Sequence, residues 1–219
     1  AIPLVGLVDT GLIGHLDNTK FLAAISVGTS VVTMILWSFG FLRMGTVGLV
    51  SQAFGRKDYS EIILVLIRNL AIALLIGLII IFFKEPILFL VKNFFSMSKD
   101  TFDLTNEYIS TRIISAPAEL IIYVLAGYYL GLQKSNISSL MISFFCVGNA
   151  ILSAVLVIKY DLEIFGVAIG TAITAYITVV IFLCFIYFQL KERLTKSVNL
   201  NKIFNLPKLF QLFNINFDI

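Results

Sequence analysis

Residues Ile2–Leu16 read IPLVGLVDTGLIGHL, an apolar stretch of helical character with one carboxylate, Asp9, near its middle. No other charge lies between Ala1 and His15. A bare Asp at the centre of a membrane helix costs about 2.5–3.5 kcal/mol on insertion scales, so an acid placed there is a functional group by default. The rest of the chain decides whether this stretch meets lipid, and what Asp9 would face.

The composition answers the first question. Of 219 residues, 59% are hydrophobic and 13% charged, with a mean hydropathy of +0.99. Soluble domains carry roughly 25% charged residues. So much apolar surface cannot be hidden in one soluble core, and the chain is expected to be an all-α polytopic membrane protein. The net charge of +3 is modest, and no basic groove or basic–aromatic motif points to nucleic acid. Cys146 and Cys184 lie in apolar runs and read as small packing residues. His15 is the one histidine, so a His/Cys metal cluster is not expected. Ile2–Leu16 lacks the charged start and cleavage site of a signal peptide. It is also short against the ~20 residues a span needs. Leu209–Ile219 opens a new apolar stretch. The expectation is a piece of a longer protein, cut inside its first helix and again inside a later one.

Five further apolar segments follow: Phe21 to about Leu42, about Ile62–Phe83, about Tyr108–Leu132, about Ile137–Ile158 and about Phe165–Phe188. Each is long enough to span, and a helix satisfies its own backbone groups in lipid. Leu42–Phe54 is glycine-rich and polar enough to be a broken or re-entrant extension. Pro86–Asn106 mixes Ile87, Leu88, Leu90, Val91, Phe94 and Phe95 with Lys92, Lys99, Asp100 and Asp103, and is expected to form an amphipathic interfacial helix plus loop. The expected organisation is a six-helix lobe over 1–188, a cytoplasmic linker over 189–207 and the start of a seventh helix over 208–219.

Orientation follows from the loop cations. Arg43, Arg56, Lys57, Lys134, Lys191, Arg193, Lys196, Lys202 and Lys208 outnumber Asp58, Glu61 and Glu192 on one side. On the other, Lys20, Lys84, Lys92, Lys99 and Lys159 are outnumbered by Asp17, Glu85, Asp100, Asp103, Glu107, Asp161 and Glu163. The first side is assigned to the cytoplasm. At the helical rise per residue, Asp9 then lies roughly 10 Å and Asn149 roughly 13 Å below the outer surface. Ser153 lies one turn further out on the face of Asn149. These three line one cavity if the first and fifth helices adjoin. The plainer reading of Asn149 and Ser153 is a hydrogen bond between helices. Glu119, just after Pro117, is a second intramembrane acid, and its carboxylate is either functional or structural. Pro117 is expected to kink the fourth helix, with Ser115 or nearby backbone serving the freed carbonyl. Arg68 is expected to snorkel to the cytoplasmic surface, and Arg112 to pair with an acid of an outer loop. Gly166, Ala168, Gly170, Thr171, Ala172 and Thr174 mark close packing of the sixth helix.

The segments VGLVDTGLIGHL, FLRMGTVGLVSQAFGRKD, YISTRIISAPAELIIYVLAGYYLGLQ, GNAILS and GVAIGTAITAY, in this order and spacing, resemble the multidrug and toxic compound extrusion (MATE) family, in its DNA-damage-inducible protein F branch. The resemblance runs over nearly the whole chain. It implies a fold of twelve helices in two six-helix lobes, with this chain as the amino-terminal lobe. It also implies proton- or sodium-driven export of organic cations and other toxic compounds by alternating access. In that reading Asp9 matches the family's first-helix acid and Asn149 its partner. Gln52 and Gly55 match the pattern after the second helix, and Arg112, Pro117, Gly131 and Gln133 that of the fourth. The acid usual one turn after the Asn is Ser153 here, and the Glu usual before Tyr176 is Ala175. The carboxylates left for cation coupling are Asp9 and Glu119, beside Asn149 and Ser153. No cofactor is expected beyond the coupling proton or sodium ion. The expected partners are small organic cations, the lipid bilayer of the cell's inner membrane, and the carboxy-terminal lobe of the same full-length chain.

The competing readings are a lipid or lipid-linked oligosaccharide flippase, a membrane-embedded enzyme and a passive scaffold. A flippase calls for a more cationic cavity than Arg68 and Arg112 supply. An enzyme calls for a Ser–His pair, paired aspartates or a metal motif, none of which the chain carries. A scaffold leaves Asp9 unexplained.

Overall fold

A computed structural model of the chain describes residues 19–197, with Gly11 alone before them, and side chains from 20 to 189. Asp9 and His15, and the expected seventh helix over 208–219, lie outside the described residues. The described elements are all helical: α1 (Thr19–Ser38), α2 (Phe41–Gly55), α3 (Tyr59–Phe82), α4 (Lys84–Phe94), α5 (Lys99–Arg112), a 3-10 turn (Ile113–Ser115), α6 (Ala116–Gly131), α7 (Ser135–Ile158) and α8 (Glu163–Ser197). Five spans among them have the length and hydropathy to cross a bilayer: Lys20–Gly55, Tyr59–Phe82, Lys99–Gly131, Ser135–Ile158 and Glu163–Gln189.

The chain's apolar surface faces two ways. Inward it forms one core, centred on α6, where Ala116, Ala118, Leu120, Ile122, Val124, Leu125, Tyr128 and Tyr129 are all buried. Outward, Met34, Leu75, Phe82, Ile151, Val180 and Phe188 stand more than half exposed. An apolar exterior of this extent belongs in lipid.

Three expectations change. Of the two alternatives for Leu42–Phe54, the broken extension holds and the re-entrant one does not. The segment belongs to α2, which follows α1 after a tightening at Phe39–Gly40, where Phe39 N–H donates to Leu36 O (3.1 Å) and Gly40 N–H to Trp37 O (2.9 Å). Its polar and small residues serve packing. Thr46 donates to Leu42 O (2.6 Å) and accepts from Asn69 Nδ2 of α3 (2.8 Å). Across from it, Gly127 and Gly131 of α6 let α2 approach so closely that an added Cβ would lie 2.6 Å from Arg43 O and 2.7 Å from Val50 Cβ. That pair, GYYLG, is a close-contact motif of membrane helices. The fourth span begins at Lys99 rather than Tyr108. Only Phe95–Ser98 is loop, because Ser98 caps α5 by accepting from Thr101 N–H (3.3 Å). The polar residues of α5 find partners on α1: Lys20 reaches Asp100 (2.7 Å), and Thr29 shares a hydrogen bond with Tyr108 (2.9 Å). Finally, α8 stays helical through Ser197, into the range expected as linker.

The turns at one rim share a design. After α2, Asp58 N–H donates to Ala53 O and Lys57 N–H to Phe54 O; after α6, Lys134 N–H donates to Tyr129 O and Gln133 N–H to Leu130 O. Both are Schellman closures, but the left-handed position is held by Lys57 (φ 58°) and Gln133 (φ 60°), not by glycine. Asp58 then caps α3 through Glu61 N–H (3.0 Å).

Candidate functional site

Among the described residues, two buried polar clusters hold the site residues that stand out in the sequence. The first joins α7 to α8. Asn149 Nδ2 donates to Thr171 Oγ1 (2.7 Å) and to Ser153 Oγ (3.3 Å), and Thr171 donates onward to Val167 O (3.1 Å). All three side chains are fully buried. Gly170 makes the approach possible, since a Cβ there would fall 2.7 Å from Ser153 Oγ. Asn149 therefore does bond across helices, as the plainer reading expects, whereas Ser153 accepts only from Asn149 of its own helix and meets α8 through the close approach of Gly170. One atom is left over. Asn149 Oδ1 is buried with no donor among the described residues, and an unmet acceptor of this kind costs about 1–3 kcal/mol.

The second cluster sits at the break between α5 and α6. Pro117 has no N–H to offer the Ile113 carbonyl. The chain tightens into the 3-10 turn instead, where Ile113 O accepts from Ala116 N–H. Ser115 Oγ lies 2.6 Å from Arg112 O and 2.7 Å from Glu119 Oε1. Ile114 O accepts from the Tyr176 hydroxyl of α8 (3.0 Å). Arg112 Nη1 contacts both Ser115 Oγ and Glu119 Oε1, so an ion pair spans the break. Side-chain exposure is 6% for Arg112 and 1% for Glu119. Glu119 Oε2 has no partner among the described residues. Gly77 of α3 packs directly on the Pro117 backbone.

Arg112 thus takes its counter-charge from its own helical span, not from an outer-loop acid. Its surroundings are too apolar to leave it unpaired. Arg68 likewise does not snorkel. It is 3% exposed and pairs with Glu61 (3.2 Å), two turns back on α3. Gln52 and Gly55 belong to neither cluster. Gln52 is exposed on α2 and gives only its carbonyl to Arg56 N–H (3.1 Å), and an added Cβ at Gly55 meets nothing within 4 Å. Sequence reasoning missed Tyr176 and the Thr46–Asn69 bond, because neither carries a signal until the neighbouring helices are known. The Gly127–Gly131 contact was missed too, although its GxxxG spacing is a signal that could have found it.

Chemically, Asn149, Ser153 and Thr171 offer oxygens suited to a proton-linked hydrogen-bond network or to a hard monovalent cation. No group of three or more His, Cys, Asp or Glu gathers for a metal among the described residues.

The described chain is thus an all-helical membrane protein with polar side chains buried between its helices. A family model described as MatE matches residues 1–156, and the chain belongs to that family. It is 33% identical over 192 residues to the DNA damage-inducible protein F of Escherichia coli (strain K12), covering 88% of this chain and 42% of the relative. It is 30% identical over 198 residues to the multidrug export protein MepA of Staphylococcus haemolyticus, covering 90% and 43%. The chain therefore spans less than half the length of these relatives. Among solved structures, the fold matches an outward-facing conformation of a multidrug resistance MATE family transporter with a TM-score of 0.80 at 19% identity, over 96% of this chain and 46% of that one. An inward-facing conformation matches at 0.77 and 20%, over 82% and 41%.

Proposed function

We propose that this chain forms the amino-terminal lobe, over 1–188, of an exporter of organic cations and other toxic compounds. The lobe sits in the cell's inner membrane, is joined beyond α8 to a second lobe, and is driven by inward flow of protons or sodium ions. Multidrug export is what the name of the MepA relative describes, and the family membership supports the transporter reading over an enzyme. The two arginines buried among the described residues are both matched by acids, which argues against a pyrophosphate-binding flippase.

The observation that carries the coupling is the unmet acceptor at Asn149 Oδ1. An ionised carboxylate only accepts hydrogen bonds, whereas a protonated one donates. Asp9 is the candidate donor. Taking a carboxylate out of water penalises its charged form. When Asp9 binds a proton, its O–H completes Asn149. When it releases the proton, the charge must return to a wetter setting and the helix moves with it. That two-state helix is what alternating access requires. A sodium ion between Asp9 and the oxygens of the same cluster would serve the same end.

The test is ethidium efflux by the full-length parent protein. Asp9→Asn should insert normally and lose efflux. Wild-type efflux in this variant would overturn the proposal. Reconstituted protein driven by an imposed pH gradient or by a sodium gradient separates the two coupling ions.

A further inference from the structure

The cations of the two rims are treated differently. On the rim of α4 and the α7–α8 turn, Lys20 pairs with Asp100 (2.7 Å) and Lys84 with Glu85 (3.3 Å). Lys92 lies over the Phe102 ring at 5.7 Å and Lys159 over Tyr160 at 5.8 Å. Lys99 is the exception there. On the opposite rim, Arg56, Lys57 and Lys134 have no acidic partner among the described residues. The acids beside them are engaged, Asp58 in capping α3 and Glu61 in holding Arg68. This rim faces the cytoplasm by the positive-inside rule.

Between the same turns lies a cavity of about 420 Å³. Its apolar lining includes Phe54, Ile62, Ile63 and Leu132, and its polar lining Lys134 and Gln189. A free phosphate ion would have no use for the four apolar side chains. A lipid uses both halves, and basic pockets between spans on the cytoplasmic side suit anionic head groups.

We propose that this cavity binds an anionic phospholipid of the inner leaflet. Lys134 faces the phosphate, Gln189 donates to the head group, and the glycerol and first acyl carbons lie on Phe54, Leu132 and the exposed Tyr59 ring, backed by the buried Ile62 and Ile63. Arg56 and Lys57 add to the local potential. The site is separate from both buried clusters, and it stands whichever solute the protein exports.

The experiment measures lipid retained by the full-length protein, by native mass spectrometry, after exchange into nanodiscs of equal parts phosphatidylglycerol and phosphatidylcholine. Wild type should retain phosphatidylglycerol preferentially. Lys134→Gln should cut that preference about fivefold, the effect of one cation near an anionic surface. Lys134→Arg should preserve it, and Lys159→Gln on the other rim should leave it unchanged. Lys134 is exposed, so its variants should fold, which size-exclusion elution checks. Equal retention of both lipids, or an unaltered preference in Lys134→Gln, would overturn the proposal. So would inorganic phosphate shielding Lys134 from acylation in lipid-free detergent as fully as phosphatidylglycerol does, since that marks a free-anion site.

Discussion

At the residue scale, Asn149 and Glu119 differ in what their loss exposes. Thr171→Val removes the closer partner of Asn149 Nδ2 (2.7 Å) and leaves a buried donor with only the longer bond to Ser153. A loss of about 1–2 kcal/mol is expected in thermal unfolding of the detergent-solubilised protein. If Asn149 also accepts the hydrogen bond of a protonated Asp9, the same variant shifts the pH dependence of efflux; a stability loss with an unmoved pH profile would leave Asn149 a packing residue only. Glu119→Ala strands the Arg112 guanidinium in a site where its own side chain is 6% exposed. That should cost about 3–5 kcal/mol, whereas the paired replacement Arg112→Met with Glu119→Leu should cost less than either single change. A double-mutant cycle on unfolding reads this directly, and additive losses would show that the two groups do not act as a pair.

At the scale of elements, contacts between helices depend on where side chains are missing. Gly127 meets the Arg43 carbonyl and Thr46 side chain of α2, with Cβ-equivalent approaches of 2.6 and 2.8 Å. Gly127→Leu should therefore separate α2 from α6, at 1–3 kcal/mol or more for typical overpacking, and lower the yield of folded protein. Gly55, at the end of α2, has open space around its Cβ position and no positive φ. Gly55→Ala should change stability by no more than about 0.5 kcal/mol, although the family resemblance picks out this glycine and not Gly127. Fluorescence-detected size-exclusion of the two variants compares them. The break between α5 and α6 is tied to α8 by one hydroxyl, and Tyr176→Phe removes that tie at Ile114 O (3.0 Å) without changing shape. A loss near 1 kcal/mol is expected.

At the scale of the molecule, orientation is testable by labelling. With Cys146 and Cys184 replaced by Ser, Lys134→Cys should react with a membrane-impermeant thiol reagent only from the cytoplasmic side, and Lys159→Cys only from outside. The reverse pattern would invert every depth assigned from loop charge. The spans, their number among the described residues and the membrane setting were legible in the chain, because hydropathy over some twenty residues outweighs local propensity. Span ends were less so. Ser98 starts a helix well before the apolar run, since capping and polar contacts to α1 decide it. Asn149, Ser153 and Glu119 stood out as polar residues in apolar runs, and so did the small residues of α8 as a packing stripe. Their partners did not. Arg112 had several acids within plausible reach, and only the fold selects Glu119 across the Pro117 break. Thr46 with Asn69, and Tyr176 with Ile114 O, are distant in sequence, and nothing in either stretch names the other. Sequence by itself determined the solvent, the helices and which polar groups are costly to bury, since each follows from the transfer energies of neighbouring residues. The tertiary structure decided which of those groups satisfy one another, because hydrogen bonds and ion pairs inside a membrane depend on which helix faces abut at ångström range.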